Sequence, residues 1–454
     1  MNNLLETIEN INGFVNNIVW GVPILFLIGA VGIFYTIVLG GIQFTKFGYL
    51  FNNTVGRLFR KVKPSSEAKG DITSFQAAMT SVSAIVGSGN IAGVATALVC
   101  GGPGALFWMI IAALIGMATK FAEIVLGVKY REQMADGSFE GGAMYYLANG
   151  LKQKWLGILF SILVIPFAFV ISAVVDTNTI AGTVQEKFGV NPMITGVILA
   201  ALCGIVVFGG IKRVGKVCEW LAPIMGAAYI IAGLVIIIIN IKMLPSAVAD
   251  IVSGAFQPSA VTGGAVGSVF VCMRYGIARG MYSNEAGLGT AAMIHCGAKV
   301  DHPVEQGMWG PVEVFLDTVI VCTISGLAIV MSGLWNIGEY EGAALTMRAF
   351  EKMLPGQVGA WICLGAVILF GFSCLISYYT YAQRAATYLF GPKSQIVVKA
   401  LWVVFIFIGS MTTLGLAWDL ADTFNGLMII PNLIGLVLLS KEVIKLKKEY
   451  FNKR

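Results

Sequence analysis

Residues Asn90 to Ala97 and Asn284 to Ala291 both read N-x-A-G-x-x-T-A, each inside an apolar stretch of helical length. The chemistry these residue types offer is binding. An asparagine amide both donates and accepts, a threonine hydroxyl does the same, and glycine lets a helix unwind so that its backbone groups face a ligand. The stretch before the first copy, Gly87-Ser88-Gly89-Asn90, adds two glycines that permit such a break and two side-chain oxygens beside it. No GxSxG elbow or histidine pairing suggests covalent catalysis. His295 and His302 lack HExxH or other metal-ligand spacing, and the eight cysteines lack CxxC spacing and read as reduced, packed side chains.

The elements that carry these motifs are membrane helices. Of 454 residues 57% are hydrophobic and 12% charged, with 55 glycines; an ordinary soluble domain is about 25% charged. Apolar segments long enough to cross a bilayer recur at roughly 18–43, 72–98, 104–128, 155–180, 193–211, 219–241, 264–294, 308–334, 357–383, 396–414 and 422–440, eleven in all. The second and seventh contain the two motifs and are the least uniform, being interrupted at Gly87-Ser88-Gly89-Asn90 and from Gly276 through Gly289. Broken helices are tolerated in lipid only where the freed backbone is buried in protein or lines a cavity.

Lysine and arginine placement orients the chain. With these crossings, 23 of the 30 basic residues fall on one face, including Lys46 to Lys69, Lys129 to Lys154 and the tail from Lys441, while Lys187, Lys242, Arg348 and Lys352 fall on the other. The positive-inside rule then predicts a multi-pass protein of the cell membrane with its N-terminus outside and its C-terminus in the cytoplasm. The net charge of +6 is largely this bias, so a lipid bilayer and not nucleic acid is the expected surroundings. The first 20 residues carry Glu6 and Glu9 and no basic residue, unlike a cleaved signal peptide.

If the first crossing is an addition, ten remain and the motif copies fall in the first and sixth of them. Five crossings per half force opposite insertion, the inverted-topology repeat of many secondary transporters. The organisation expected is an extra N-terminal helix with a basic linker (1–70), a first repeat (71–245), a second repeat (246–440) and a basic tail (441–454).

The run Gly101-Gly102-Pro103-Gly104-Ala105-Leu106-Phe107-Trp108-Met109 resembles the signature of the alanine or glycine:cation symporter family. Arg279 to Gly289, Gly87 to Asn90 and Tyr388-Leu389-Phe390-Gly391 resemble further hallmarks in the family's order, over roughly residues 15 to 440. Ile110 departs from the signature, where tryptophan is usual. The resemblance implies an all-α fold of the leucine-transporter type plus one helix, and sodium-coupled import of alanine and glycine.

It further implies site residues. The substrate carboxylate is expected at the backbone of Gly87, Ser88 and Gly89, beside Asn90, with the amine at carbonyls near Ile277 to Gly280. Met273, Ile277 and Phe167 are expected as pocket walls, with Thr80 below; each wall residue is also what ordinary helix packing would supply. For sodium, the resemblance implies carbonyls of Ser83, Val86 and Phe370 and the hydroxyl of Ser373. Cys374 stands where the family tends to carry a second hydroxyl, and a thiol is a poor ligand for a hard cation. Buried charges at Asp71, Glu123, Asp176, Arg274, Arg279, Glu285, Glu313 and Asp317 are rare in a membrane interior and pair there. Glu123 or Asp176 as a proton carrier leaves a proton-coupled carrier as the alternative. An ion channel is the alternative of a different class.

Overall fold

The computed structural model describes residues 2–60, 68–256, 269–412 and 414–452. The expected start of the seventh crossing, at 264, lies outside them. The chain is helical, with α1 (Asn2–Val19), α2 (Val22–Val38), α3 (Ser74–Ile85), α4 (Ala92–Gly101), α5 (Gly104–Lys129), α6 (Lys154–Phe188), α7 (Pro192–Val207), α8 (Gly210–Ile239), α9 (Val269–Asn284), α10 (Thr290–His295), α11 (Pro303–Ser332), α12 (Val358–Phe390), α13 (Ser394–Gly409), α14 (Leu414–Leu438) and α15 (Ser440–Asn452). Shorter helices at Phe47–Asn53, Leu244–Phe256 and Gly342–Met353 connect them.

Among the described residues six helices are long and apolar enough to span a membrane, or eight if each of two bent pairs is one span. The bent pairs are Glu9–Val19 with Val22–Val38 and Ser74–Ile85 with Ser88–Gly101. The shorter apolar helices α7 and α13, and the pair α9 and α10, fall on the remaining expected crossings.

Local sequence explains the boundaries that matter. Thr73 and Gln76 form a capping box at the start of α3, each side chain bonded to the other's backbone N–H at 3.1 Å. Gly102 takes φ +74°, ending α4, and Pro103 leads into α5. Gly391 closes α12 with φ +79°.

The two motif-bearing helices lie side by side and run in opposite directions. α3 touches α10 and α4 touches α9, and Ile72–Thr73, entering α3, pairs in parallel with Ala298–Lys299, leaving α10. Arg131 holds this junction by donating to the carbonyls of Cys296 and Ala298, both at 2.7 Å, and of Lys69 at 2.8 Å. Arg384 adds a bond to the Phe139 carbonyl and an ion pair with Glu140 at 3.4 Å. Burial raises the Glu140 carboxyl above its ordinary range, although Arg384 pulls it down. This side, with Lys69, Arg131 and Lys299, is called the basic face below.

Glycine sets the spacing between α5 and its neighbours. A Cβ at Gly276 would lie 2.3 Å from the Ala105 carbonyl oxygen, and one at Gly104 would lie 2.2 Å from the Ala255 nitrogen. Small residues let membrane helices approach at backbone distance, which gives the GGPG run a packing reason. Gly276→Ala should therefore cost about 1–3 kcal/mol, read as a lower thermal unfolding midpoint in detergent. Gly226→Ala, where a Cβ meets nothing within 4 Å, should be neutral or raise it; equal losses would contradict this packing.

Candidate functional site

The first break follows Ile85. Val86 leaves helical geometry with ψ 90°, Gly87 is extended, Ser88–Asn90 form one tight turn, and the two half-helices meet at 52°. Asn90 closes the gap, its Oδ1 accepting from the Gly87 N–H at 2.8 Å and its Nδ2 donating to Asp317 Oδ1 at 2.6 Å. Gly87 is required by proximity, since a Cβ there would lie 2.3 Å from Cys374 Sγ.

The second break falls at the end of the stretch marked as interrupted, Gly276–Gly289. α9 is continuous from Val269 to Asn284, so the expectation of freed carbonyls at Ile277–Gly280 is corrected; the chain unwinds from Glu285 to Gly289. Gly287 and Gly289 take φ +99° and +82°, and Glu285 takes φ +56°, an unusual conformation for a residue with a side chain. Its carboxylate is held by the hydroxyls of Tyr378, Tyr381 (2.8 Å) and Thr290 (2.6 Å). Glu123 accepts from the Gly289 N–H at 3.0 Å and from Asn432, which also donates to the Gly287 carbonyl. Lys120 donates to the Asn284 carbonyl at 2.8 Å, placing a cation at the C-terminal end of α9 where the helix dipole is negative.

The two motif asparagines converge. Asn284 Oδ1 accepts from the Ala286 N–H and its Nδ2 donates to Thr318 at 3.0 Å, next to the residue that Asn90 reaches. Asp317 and Thr318 lie in a π-helical stretch, Phe315–Cys322, and Asp176 ends another, Phe169–Asp176. Such stretches are rare and frequent at functional sites. Ser283 also donates to Asp317, at 2.9 Å.

Beside the first break lies a narrow cavity with room for about one water molecule, lined by Ala84, Ile85, Gly87, Ser88, Gly89, Ile171, Asp176, Tyr282, Cys374 and Tyr378. Asp176 Oδ1 accepts from Ser88 Oγ. Among the described residues its Oδ2, and the Tyr282 hydroxyl, are buried without a hydrogen-bond partner. On the side away from the basic face, Arg279 clasps Asp422 with bonds of 2.8 and 2.6 Å and lies near the rings of Tyr282 and Trp418. An open basin containing Thr96, Cys100, Arg279 and Trp418 lies beyond.

The sequence-derived residues divide. Gly87, Ser88 and Gly89 line the cavity, and Asn90 braces it from behind with both ends of its amide engaged. Phe167 stacks on Tyr378 at 5.9 Å, one layer out. Thr80 is buried, bonded to the Gln76 carbonyl, and does not line the cavity. Met273 does not line it either. Ile277 opens on a different space, between α2 and α5, and Gly280 faces Met109 of α5. The reason is helical phase: with the break moved to 285–289, Tyr282 and not Ile277 stands opposite Gly89. The pocket reading omitted Ala84, Ile85, Ile171, Asp176, Tyr282, Cys374 and Tyr378, although the interior charge at Asp176 was visible in the sequence.

Of the residues expected around sodium, Ser83, Phe370 and Ser373 are in contact, and Val86 lies against the neighbouring Cys374. Ser373 Oγ lies 3.1 Å from the Ser83 carbonyl and 2.8 Å from that of Phe370. The Val86 carbonyl is 3.9 Å from Cys374 Sγ, which sits 3.2 Å from the Ala84 carbonyl. The set is neutral and mostly oxygen, as a hard monovalent cation requires.

Comparison with known proteins places this geometry. The sequence profile described as the sodium:alanine symporter family matches residues 5–454. The sodium/alanine symporter AgcS of Methanococcus maripaludis is 41% identical, covering 96% of each chain. The probable sodium/glutamine symporter GlnT of Bacillus subtilis is 36% identical over 98% of this chain and 91% of its own. Among solved structures, MhsT in complex with L-phenylalanine is 15% identical with a TM-score of 0.56, covering 82% of this chain and 89% of its own, a likeness of fold.

The contact at Gly87 yields a cycle. Gly87→Ala should lower the unfolding midpoint, by the equivalent of about 1–3 kcal/mol for overpacking. Adding Cys374→Ala, which removes the sulfur in the way, should restore most of the loss. Additive losses would show that the two positions do not touch.

Proposed function

The chain belongs to the sodium:alanine symporter family, and from that premise we propose that it imports alanine and glycine together with sodium by alternating access. It is a multi-pass membrane transporter with a leucine-transporter-like fold. We read its helices as eleven crossings, with residues 71–245 and 246–440 as inverted repeats and the basic face in the cytoplasm.

The observation that carries the reading is the cavity beside the first break, which offers a zwitterion both of its partners. The Gly89 N–H, in the turn that starts a half-helix, suits a carboxylate, the Gly87 N–H being already held by Asn90. The unpartnered Oδ2 of Asp176 suits an ammonium. Side-chain selection then falls to Ile171, Tyr282 and Tyr378, whose bulk would exclude large groups by overlap once the site widens to admit substrate. Size matters here because one relative carries the name of a glutamine symporter.

Sodium binds at the carbonyls of Ser83, Val86 and Phe370 with the hydroxyl of Ser373. Its position against the cavity, through Val86 and Cys374, joins ion and substrate binding, since both hold the same unwound segment.

In proteoliposomes, an inward sodium gradient should drive uptake of labelled alanine that glycine competes away, and a proton gradient alone should not. Uptake driven only by protons would establish the proton-coupled alternative. Asp176→Asn should raise the alanine concentration for half-maximal uptake at least about tenfold, as for loss of a charge-assisted bond. Unchanged half-saturation would remove Asp176 from the site. Cys374→Ser, which supplies a hydroxyl near the Val86 carbonyl, should lower the half-saturating sodium concentration roughly two- to tenfold. No change would place sodium away from Cys374.

A further inference from the structure

Between the cavity and the basic face, Lys120, His295 and Glu313 are each fully buried and meet in one cluster. Glu313 Oε2 accepts from Ser81 at 2.8 Å and lies 3.5 Å from Lys120, while Oε1 lies 3.0 Å from His295 Nε2. His295 Nδ1 lies 2.7 Å from Gln306 Nε2. The amide of Gln306 is oriented by a second partner, because its Nε2 also donates to the Ser74 carbonyl at 3.2 Å while its Oε1 accepts from Ser74 Oγ at 2.6 Å. Gln306 is therefore the donor toward His295, and Nδ1 must accept. The remaining ring nitrogen, Nε2, lies 3.0 Å from Glu313 Oε1 but out of line for a hydrogen bond to it. In this closed arrangement Lys120 already balances Glu313.

We propose that His295 is a proton-binding site through which acid on the basic face favours opening of that face. Ser74 is the first residue of α3, and it is fastened to α11 by Gln306 and by Trp309 Nε1 at 3.1 Å. This fastening adjoins the pairing of Ile72–Thr73 with Ala298–Lys299 that seals the face. A proton on Nδ1 would set two N–H donors against each other and place a second cation beside a single carboxylate. The closed seal and the protonated ring exclude one another. When Ser74 and Gln306 separate, Nδ1 is free to take a proton from entering water. The open state thus binds the proton better than the closed state, and by linkage lower pH shifts the population toward it. Histidine is the side chain suited to this between about pH 5 and 8.

The other ionisable groups on the elements packed around His295 are engaged elsewhere. Glu123 on α5 holds Gly289 and Asn432, Tyr381 holds Glu285, Arg384 pairs with Glu140, Glu305 pairs with Arg57, and Tyr145 packs its ring on Tyr388. Cytoplasmic control of transport by this device rests on the symport reading; the proton site does not.

The test is backbone hydrogen exchange of residues 70–76 and 296–300 in the purified full-length protein without substrate. It is run at about pH 5.5 and about pH 7.5, with labelling times scaled to equal chemical exchange. Wild-type protection should fall several-fold on acidification. His295→Gln should show no such fall, and Gln306→Glu, which gives Nδ1–H an acceptor, should move the midpoint upward by about one pH unit. Wild-type protection independent of pH, or a His295→Gln profile like that of the wild type, would overturn the proposal. If His295→Gln does not fold, an unmoved midpoint in Gln306→Glu overturns it. Because no amino acid or ion gradient is used, failure of the symport reading leaves this result standing.

Discussion

Unwound backbone inside a membrane has to find its hydrogen bonds within the protein, and the rest of this structure follows from that constraint. The two helices unwind at 86–91 and 285–289. Each break exposes N–H and C=O groups that would cost several kcal/mol apiece in lipid. Side chains repay them: Asn90 and Asn284 cap from within the chain, and Glu123 and Asn432 come from neighbouring helices. Among the described residues Asp176 Oδ2 and the Tyr282 hydroxyl are two of the buried atoms that keep no hydrogen-bond partner, and both residues line one cavity.

The buried charges named above fall into three groups. Arg279 and Asp422 close the side facing the open basin. Asp176, Glu285 and Asp317 surround the breaks, each anchored by hydroxyl or amide donors. Lys120, Glu313 and His295 lie toward the basic face, where Arg131 and Arg384 bind the chain segments entering and leaving the broken helices. A closed group on either side of a central cavity is what alternating access requires, since each must be able to yield without the other. The glycines at 104 and 276 hold α5 against its neighbours at backbone distance, so movement there would be of whole helices rather than of side chains.

Much of this was legible in the sequence because it rests on local rules. Hydropathy marked the helices, and Gly87, Gly89, Gly287 and Gly289 marked the breaks. The repeated asparagine motif marked the two helices that pair. The oxygen set of Ser83, Phe370 and Ser373 came from a family resemblance and is contiguous in space. The pocket walls were less legible. Which face of α9 meets the cavity depends on where its break falls, and the sequence pattern allowed the break at 277–280. Glu285 in a left-handed conformation, secured by Tyr378 and Tyr381 from a helix nearly 100 residues away, moves it to 285–289. That shift turns Ile277 toward α2 and α5 and brings Tyr282 to the cavity. Long-range hydrogen bonds of this kind leave no periodic trace in a single sequence.

The measurement that bears most directly on the account is an experimental structure determined with alanine and sodium present. The account predicts density for the amino acid between the Gly87–Asn90 turn and Asp176, its ammonium within hydrogen-bond distance of Oδ2, and a cation among Ser83, Val86, Phe370 and Ser373. Density for alanine beside Ile277, or anywhere outside contact with Asp176 and the first break, would contradict it.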